Sequence, residues 1–353
     1  MIPIICQRAS LRREMLKEAP LLLCCDVDPD RAPFAAGGDI EKSQWSGLSK
    51  GIPKLLEGVA ELERSQGLTI HFNWFFRSDL QMEKMYGDAA WSYRAWKDIT
   101  KRLVDRNDEL GWHPHLWRLH EDGRSWYQEI EDLEYMDSCM CKGFDAIPDE
   151  FRPRVVRTGW DFHNAFTMKL LSDLGIVADL SALPGIFDKG ALDSSTGKHV
   201  VVRDWAGAPD RPYFPSRNDP RKMAKNASER LSVLEIPVST FPLPYTMRLA
   251  RRVRDVLRGE ERRPPISEPY LTKSGMLFKA ALEHHIANRD AAEVPMVAEF
   301  HADELLRDRG SYSLRNVLEN IFLAKNLYEK AGMSPRFGRA SDVAMELRKR
   351  MEE

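Results

Sequence analysis

Seven polar residues, spread over most of the chain, share one feature: each stands at the end of an apolar run. Asp26 and Asp28 close "LLLCCDVD", His113 and His115 lie in "GWHPHL", Arg157 follows "RVV", Asp179 follows "IVA", and His301 follows "VPMVAEF". His163 and Asn164 come just after Arg157. Most of these side chains either bind metal or move protons. On a strand, residues two apart point to the same side, so Asp26 and Asp28 would project together, as would His113 and His115. Two adjacent carboxylates repel unless a metal or a shared proton resolves the conflict. Two imidazoles with one carboxylate make a mixed N/O site suited to Zn²⁺ or a neighbouring divalent ion, with positions open for water and substrate. The second carboxylate then stands where it can take a proton from water activated by the ion. Such a base needs a cation to set its pKa and orientation, and Arg157 is the available one. His301, distant in sequence from the ligands, is placed to protonate a leaving group. Each residue also has a plainer reading: tolerated histidines, a strand-end ion pair for Arg157, a satisfied half-buried imidazole for His301.

These residues need a scaffold that brings strand ends together. The alternation of patterns supplies one. Strands are expected at 21–28, 68–76, 111–116, 154–159, 176–181, 233–238 and 294–301. Between them lie helical spacings, beginning with Ile52, Leu55, Leu56, Val59 and Leu62 at intervals of three and four. Residues 93–110, 124–138 (with Trp126, Ile130, Leu133 and Met136 on one face), the stretch ending at Leu174, 246–258, 271–288 and 311–331 also read as helices. Seven strands alternating with helices imply parallel strands joined by crossovers, one short of the common eight-fold barrel. In such architectures reactive residues collect at the C-terminal strand ends. One barrel domain over 1–353 is expected, with the motifs between about 20 and 305 and a helical closure from 306 to 353.

With the motifs in this order, the sequence resembles the polysaccharide deacetylase family, the NodB-homology group of carbohydrate esterase family 4. "CDVD" stands where that family has paired acids, "LGWHPHLW" at its metal-histidine motif, and "VVRTGWDFHN" with "LLSDLGIVADLS" at its arginine motif and next strand. "EFHADEL" is similar to its late histidine motif. The resemblance spans roughly residues 20–305 and implies a distorted (β/α)7 barrel. It also implies Asp26 as general base, Asp28 and His113 as metal ligands, Arg157 as the group that orients the base, and His301 as general acid. The reaction implied is removal of an acetyl, or less often formyl, group from an amino sugar or esterified sugar. One departure stands out. The family spaces its two histidine ligands four apart, and here the residue four after His113 is Trp117. The third ligand is then His115, His120 or absent, and His115 is preferred. The expected ion is Zn²⁺, with Co²⁺, Ni²⁺ or Mn²⁺ as alternatives.

Nine tryptophans are available to meet sugar rings, and Trp74, Trp112, Trp117, Trp160 and Trp205 lie near proposed strand ends or in the long loop. The Pro-rich segment 203–220 is too long for a simple connector. Trp160, Asn164, Asp204 and Trp205 are the expected substrate contacts.

Composition narrows the partners. With 43% hydrophobic residues and a net charge of −2, the chain can build a large core and has no global field to draw nucleic acid. The basic stretch 248–263 reads as a solvated helix face or a site for a phosphate-bearing carrier. No signal peptide is visible and no run approaches a membrane span. Five cysteines, an odd number, read as thiols in a reducing cytoplasm, and Cys139/Cys141 lack a second pair for a metal site. The expected substrate is therefore a small-molecule or oligosaccharide precursor, nucleotide- or carrier-linked. Two rival enzymes fit less well. An amidohydrolase would carry its H-X-H pair on the first strand, and neighbouring acids cannot flank a glycosidic bond. A degenerate barrel that binds carbohydrate or a protein partner is the remaining alternative.

Overall fold

The computed structural model describes residues 17–30, 44–121, 123, 126–190, 197, 201–258 and 265–353, apart from the side chains of 254, 255 and 258. Of the stretch read for a secretion signal, only residues 17–20 fall among these, and 259–263 of the basic stretch fall outside.

All seven expected strands form: β1 (Lys17–Val27), β2 (Phe72–Arg77), β3 (Glu109–His113), β4 (Val155–Val156), β5 (Ala178–Asp179), β6 (Leu234–Glu235) and β7 (Met296–His301). They pair in the order β6-β5-β4-β3-β2-β1-β7, all parallel. The two outer members approach each other beyond β6. There Ser239 N donates to Val297 O (3.1 Å) and Ser239 Oγ accepts from Val297 N (3.0 Å). The sheet is thus a distorted (β/α)7 barrel whose last seam is tied by one serine rather than a full ladder.

Strand identity follows from composition. β2 (FNWFFR) and β7 (MVAEFH) are apolar along most of their length because both sheet faces are covered, as parallel strands require. Phe72, Trp74 and Phe300 pack together in the interior, with centroids 5.1 Å and 6.1–6.2 Å apart. Trp74 and Trp112 are fully buried, so these two indoles belong to the core.

The crossover helices are α1 (Ile52–Gln66), α2 (Leu80–Tyr86), α3 (Trp91–Ala95), α4 (Lys97–Asp105), α5 (Leu133–Ala146), α6 (Ala165–Asp173), α7 (Tyr245–Arg258), α8 (Gly275–Asn288), α9 (Leu314–Lys330) and α10 (Ala340–Glu352). Three differences from the sequence pattern have physical causes. The helix expected over 93–110 breaks at Trp96 and stops at Arg106, because Glu109 already pairs with Asn73 in the sheet. The helix expected from 124 starts at Leu133. Asp132 caps it by accepting from Tyr135 N, and Trp126–Gln128 instead pair antiparallel with Trp117–Leu119. The closure after 306 is not purely helical. It contains an eighth strand, β8 (Met333–Phe337), parallel to the first half of β1.

β8 enters the bottom of the barrel beside β2, where Phe337 pairs with Leu21 and bridges Ile70. Asn73 pins it there. Its Nδ2 donates to Leu23 O (3.3 Å) and Gly338 O (3.2 Å), and its Oδ1 accepts from Ala340 N (2.6 Å). A fully buried amide is tolerated because its polar atoms are used.

Candidate active site

The C-terminal strand ends open into a cavity of about 220 Å³, and six of the seven strand-end residues read from the sequence line it: Asp26, Asp28, His113, His115, Arg157 and His301. Asp179 does not; it is fully buried and paired with His163 (3.1 Å).

Asp28, His113 and His115 converge. His113 Nε2 lies 3.4 Å from Asp28 Oδ2, His115 Nε2 lies 3.7 Å from Asp28 Oδ1, and the two Nε2 atoms are 3.1 Å apart. Neither Asp28 nor His115 is inside a strand, since β1 ends at Val27 and β3 at His113. The alignment expected from strand alternation is instead fixed by neighbours. His115 N donates to Asp79 Oδ2 (3.1 Å), and Arg77 bridges Asp79 (2.7 Å) and Asp28 Oδ1 (3.0 Å). Asp79 also caps α2 through Met82 N, so one buried carboxylate locks helix, arginine and histidine segment together.

This donor set fits a divalent ion. Tetrahedral zinc bonds of about 2.0–2.1 Å place ligand atoms roughly 3.3 Å from one another, close to the separations found here. His113 Nδ1 lies 2.6 Å from Arg157 O, a contact in which the ring donates and leaves its Nε2 lone pair facing Asp28 and His115. His115 Nδ1 and Asp26 Oδ1 are buried and have no hydrogen-bond partner. Burial opposes charge on His113, but Asp26 and Asp28 outweigh it and raise its pKa, so a cation here would take the place of a proton. For His115, burial and then Arg77 push the pKa well below the usual range and keep the ring neutral. Among the described residues, these three side chains form the group able to hold an ion, and the site is compatible with a divalent metal. His120 is not in that group. Its ring packs on Tyr127, 4.6 Å away.

Arg157 organises the other half. Its Nε donates to Asp26 Oδ2 (3.0 Å), Nη1 to Leu180 O (3.0 Å), and Nη2 contacts Asp161 (2.9 Å) and Glu299. Burial would raise the Asp26 pKa, yet Arg157, then His113 and His301, hold it below the usual carboxylate value. Three carboxylates around one guanidinium cannot all ionise cheaply. Burial, against the pull of Arg157 and with the charges of Asp161, Glu268 and Asp26, raises Glu299 to about 8. His301 Nδ1 stands 3.8 Å from Asp28 Oδ2, and its ring stacks on Tyr270 (6.3 Å, 17°).

Trp160 also lines the cavity and is 44% exposed. It holds φ 56°, a left-handed conformation uncommon for a bulky residue. Its ring meets Trp117 edge-on (6.3 Å), and Trp117 lies parallel to His115 (6.0 Å, 13°). Trp117, four residues after His113, thus packs against His115.

The other three expected substrate contacts lie outside the cavity lining. Asn164 caps α6, accepting from Thr167 N (2.9 Å). Asp204 pairs with Arg221 (2.5 Å). Trp205 is 1% exposed and donates from Nε1 to Asp161 O (2.6 Å), supporting a residue that pairs with Arg157. Conversely, Arg77, Asp161, Arg203, Glu268, Tyr270 and Glu299 line the cavity without having been singled out.

No protein-family model and no curated protein sequence matches the chain. Solved structures do. A protein from Mycobacterium smegmatis assigned as a polysaccharide deacetylase superposes with TM-score 0.51 at 15% identity, over 95% of this chain and 92% of that one. A protein from Parabacteroides distasonis assigned as a glycoside hydrolase/deacetylase superposes with TM-score 0.56 at 12% identity, over 95% and 72%. At these identities the likeness is one of fold: the barrel is of the type found in polysaccharide deacetylases.

Proposed function

We propose that the chain is a metal-dependent hydrolase that removes an acyl group, typically acetyl, from an amino sugar or O-acylated sugar. The observation that carries this reading is the convergence, in one cavity, of an Asp28–His113–His115 triad, an arginine-held Asp26 and His301. Asp28, His113 and His115 would hold the ion, with Zn²⁺ preferred. When bound, a divalent ion polarises an acyl carbonyl and makes water nucleophilic at neutral pH. Asp26 is kept ionised by Arg157 and carries an unpartnered Oδ1, so it takes the proton from the attacking water. His301, near Asp28 Oδ2 in the same cavity, donates a proton to the departing nitrogen or oxygen. Arg77 restrains Asp28 through Oδ1, leaving Oδ2 towards His113 and His301. The exposed face of Trp160, next to Trp117, offers an apolar wall for a sugar ring.

The test is metal content beside acetate release. Wild-type protein is expected to bind about one divalent ion per chain and to release acetate from N-acetylated amino sugars. His113→Ala/His115→Ala should lose both. Failure to take up zinc or cobalt would overturn the reading and leave a barrel that binds carbohydrate without turning it over.

A further inference from the structure

Helix α7 points the wrong way for a barrel helix. Most of its apolar residues face out: Tyr245, Leu249, Val253, Val256 and Leu257 are 51–81% exposed. At 100° per residue they share one sector covering about a third of the circumference. Arg248 and Arg252 border that sector on one side. The side turned to the protein carries Met247, packed on the core, and Arg251, which donates to Ile266 O (3.1 Å). The helix as a whole holds five arginines and one aspartate. The net charge of −2 conceals this local concentration.

The helix is linked to the cavity wall through its flanking strands. Phe241–Pro242 and Ile266–Ser267 pair antiparallel, and α7 lies in the excursion between them. Directly after that pair come Glu268 and Tyr270, both in the cavity wall. The helix is therefore connected, through that pair, to a segment of the cavity wall.

We propose that α7 is a docking helix for an anionic lipid bilayer, lying in the interfacial plane and holding the cavity mouth next to the membrane surface. An apolar face edged by arginines, with low overall hydrophobicity, is what binds at the headgroup boundary rather than across a membrane. No helix among the described residues is long and apolar enough to cross one. Charge complementarity selects this occupant. A second copy docking through the same face would set one arginine-rich helix against another, whereas anionic headgroups neutralise the charge. The proposal is independent of the hydrolase reading, because it concerns adsorption and not turnover.

The test is co-sedimentation of the full chain with vesicles of equimolar phosphatidylglycerol and phosphatidylcholine, against phosphatidylcholine alone. Binding to the anionic vesicles is expected to be at least about tenfold tighter and to weaken as salt is raised. Leu249→Glu/Val256→Glu should abolish it, and Arg248→Glu/Arg252→Glu should reduce it about tenfold or more. Both variants change exposed side chains, so their melting temperatures should match wild type. The salt dependence is read on the unaltered protein and stands even if a variant misfolds. Absence of wild-type binding to anionic vesicles, or equal binding to phosphatidylcholine, would overturn the proposal. So would a concentration-dependent dimer, without vesicle binding, that the Leu249/Val256 variant dissociates.

Discussion

Gly159 lies against His115 so closely that a Cβ built on it would sit 2.1 Å from the imidazole Cδ2 and 2.2 Å from Nε2. The contact involves the nitrogen that faces Asp28, not the far edge of the ring. The backbone also donates across it, Gly159 N to Pro114 O at 2.8 Å, which fixes the approach. A side chain at 159 must therefore displace the ring.

Gly159→Ala is accordingly expected to lower metal affinity about 10- to 100-fold, the range found when supporting contacts of a ligand are disturbed. Global stability should change far less, since the ring can swing into the cavity. Isothermal titration with zinc, set beside a melting curve, separates the two. Unchanged affinity would remove His115 from the ligand set.

Asp26 and Asp28 are neighbours in sequence with different surroundings, and their substitutions should differ in kind. Asp26→Asn keeps the shape next to Arg157 and is expected to leave metal content near one per chain while lowering kcat by about 10²-fold or more. Asp28→Ala should lose both metal and turnover. Arg77 retains Asp79 (2.7 Å) and Gln81 (2.7 Å) as partners in that variant, so the fold should persist. Equal metal loss in the two variants would contradict this division of roles.

Glu299 predicts a pH effect on stability. Its carboxyl is raised from an ordinary 4.5 to about 8 by burial, so the folded state holds a proton that the unfolded state has released. Stability from this group is present in full below pH 4.5 and is lost as pH rises towards 8. Glu299→Gln mimics the protonated form and lacks that loss. Relative to the variant, wild type should weaken by about 1.4 kcal/mol per pH unit in that window. Denaturant melts of both proteins at pH 5.5 and 7.5 measure it; parallel curves would mean that Glu299 is ionised beside Arg157.

The seven strands and most of the site were legible because β1, β3 and β7 are apolar runs ending in polar residues. Period and terminus are both local signals. The same rule, applied further, reaches two cavity residues that were passed over. Arg77 ends β2 as His113 ends β3, and Glu299 is two residues before His301 on β7. Asn164, Asp204 and Trp205 could not be sorted this way. Their partners, Thr167, Arg221 and Asp161, are set by how helix caps and loops pack, not by periodicity. His115 is an intermediate case. The expected convergence with His113 is present, but it arises past the strand end, from Asp79 and Gly159 rather than from alternation. β8 carries Pro335 within a short, polar segment and so reads as loop.

That hidden strand gives the last prediction. β8 contributes little apolar surface of its own, with four of its five residues only half-buried, so its place under the barrel depends on polar anchoring. Asn73 supplies it, with three hydrogen bonds to Leu23, Gly338 and Ala340 from a position with no solvent. Asn73→Leu would fill a similar volume but leave two carbonyls and one N–H without these partners. Each unsatisfied buried group costs about 1–3 kcal/mol, so a destabilisation of about 3 kcal/mol or more is expected by urea denaturation. The substitution lies at the opposite end of the barrel from the cavity, and zinc affinity in the folded variant should stay within about twofold of wild type. Hydrogen exchange would show the mechanism, with lost protection at Gly338 and Ala340 before the rest of the sheet. A variant as stable as wild type would mean that α9 and α10, not Asn73, hold β8 in place.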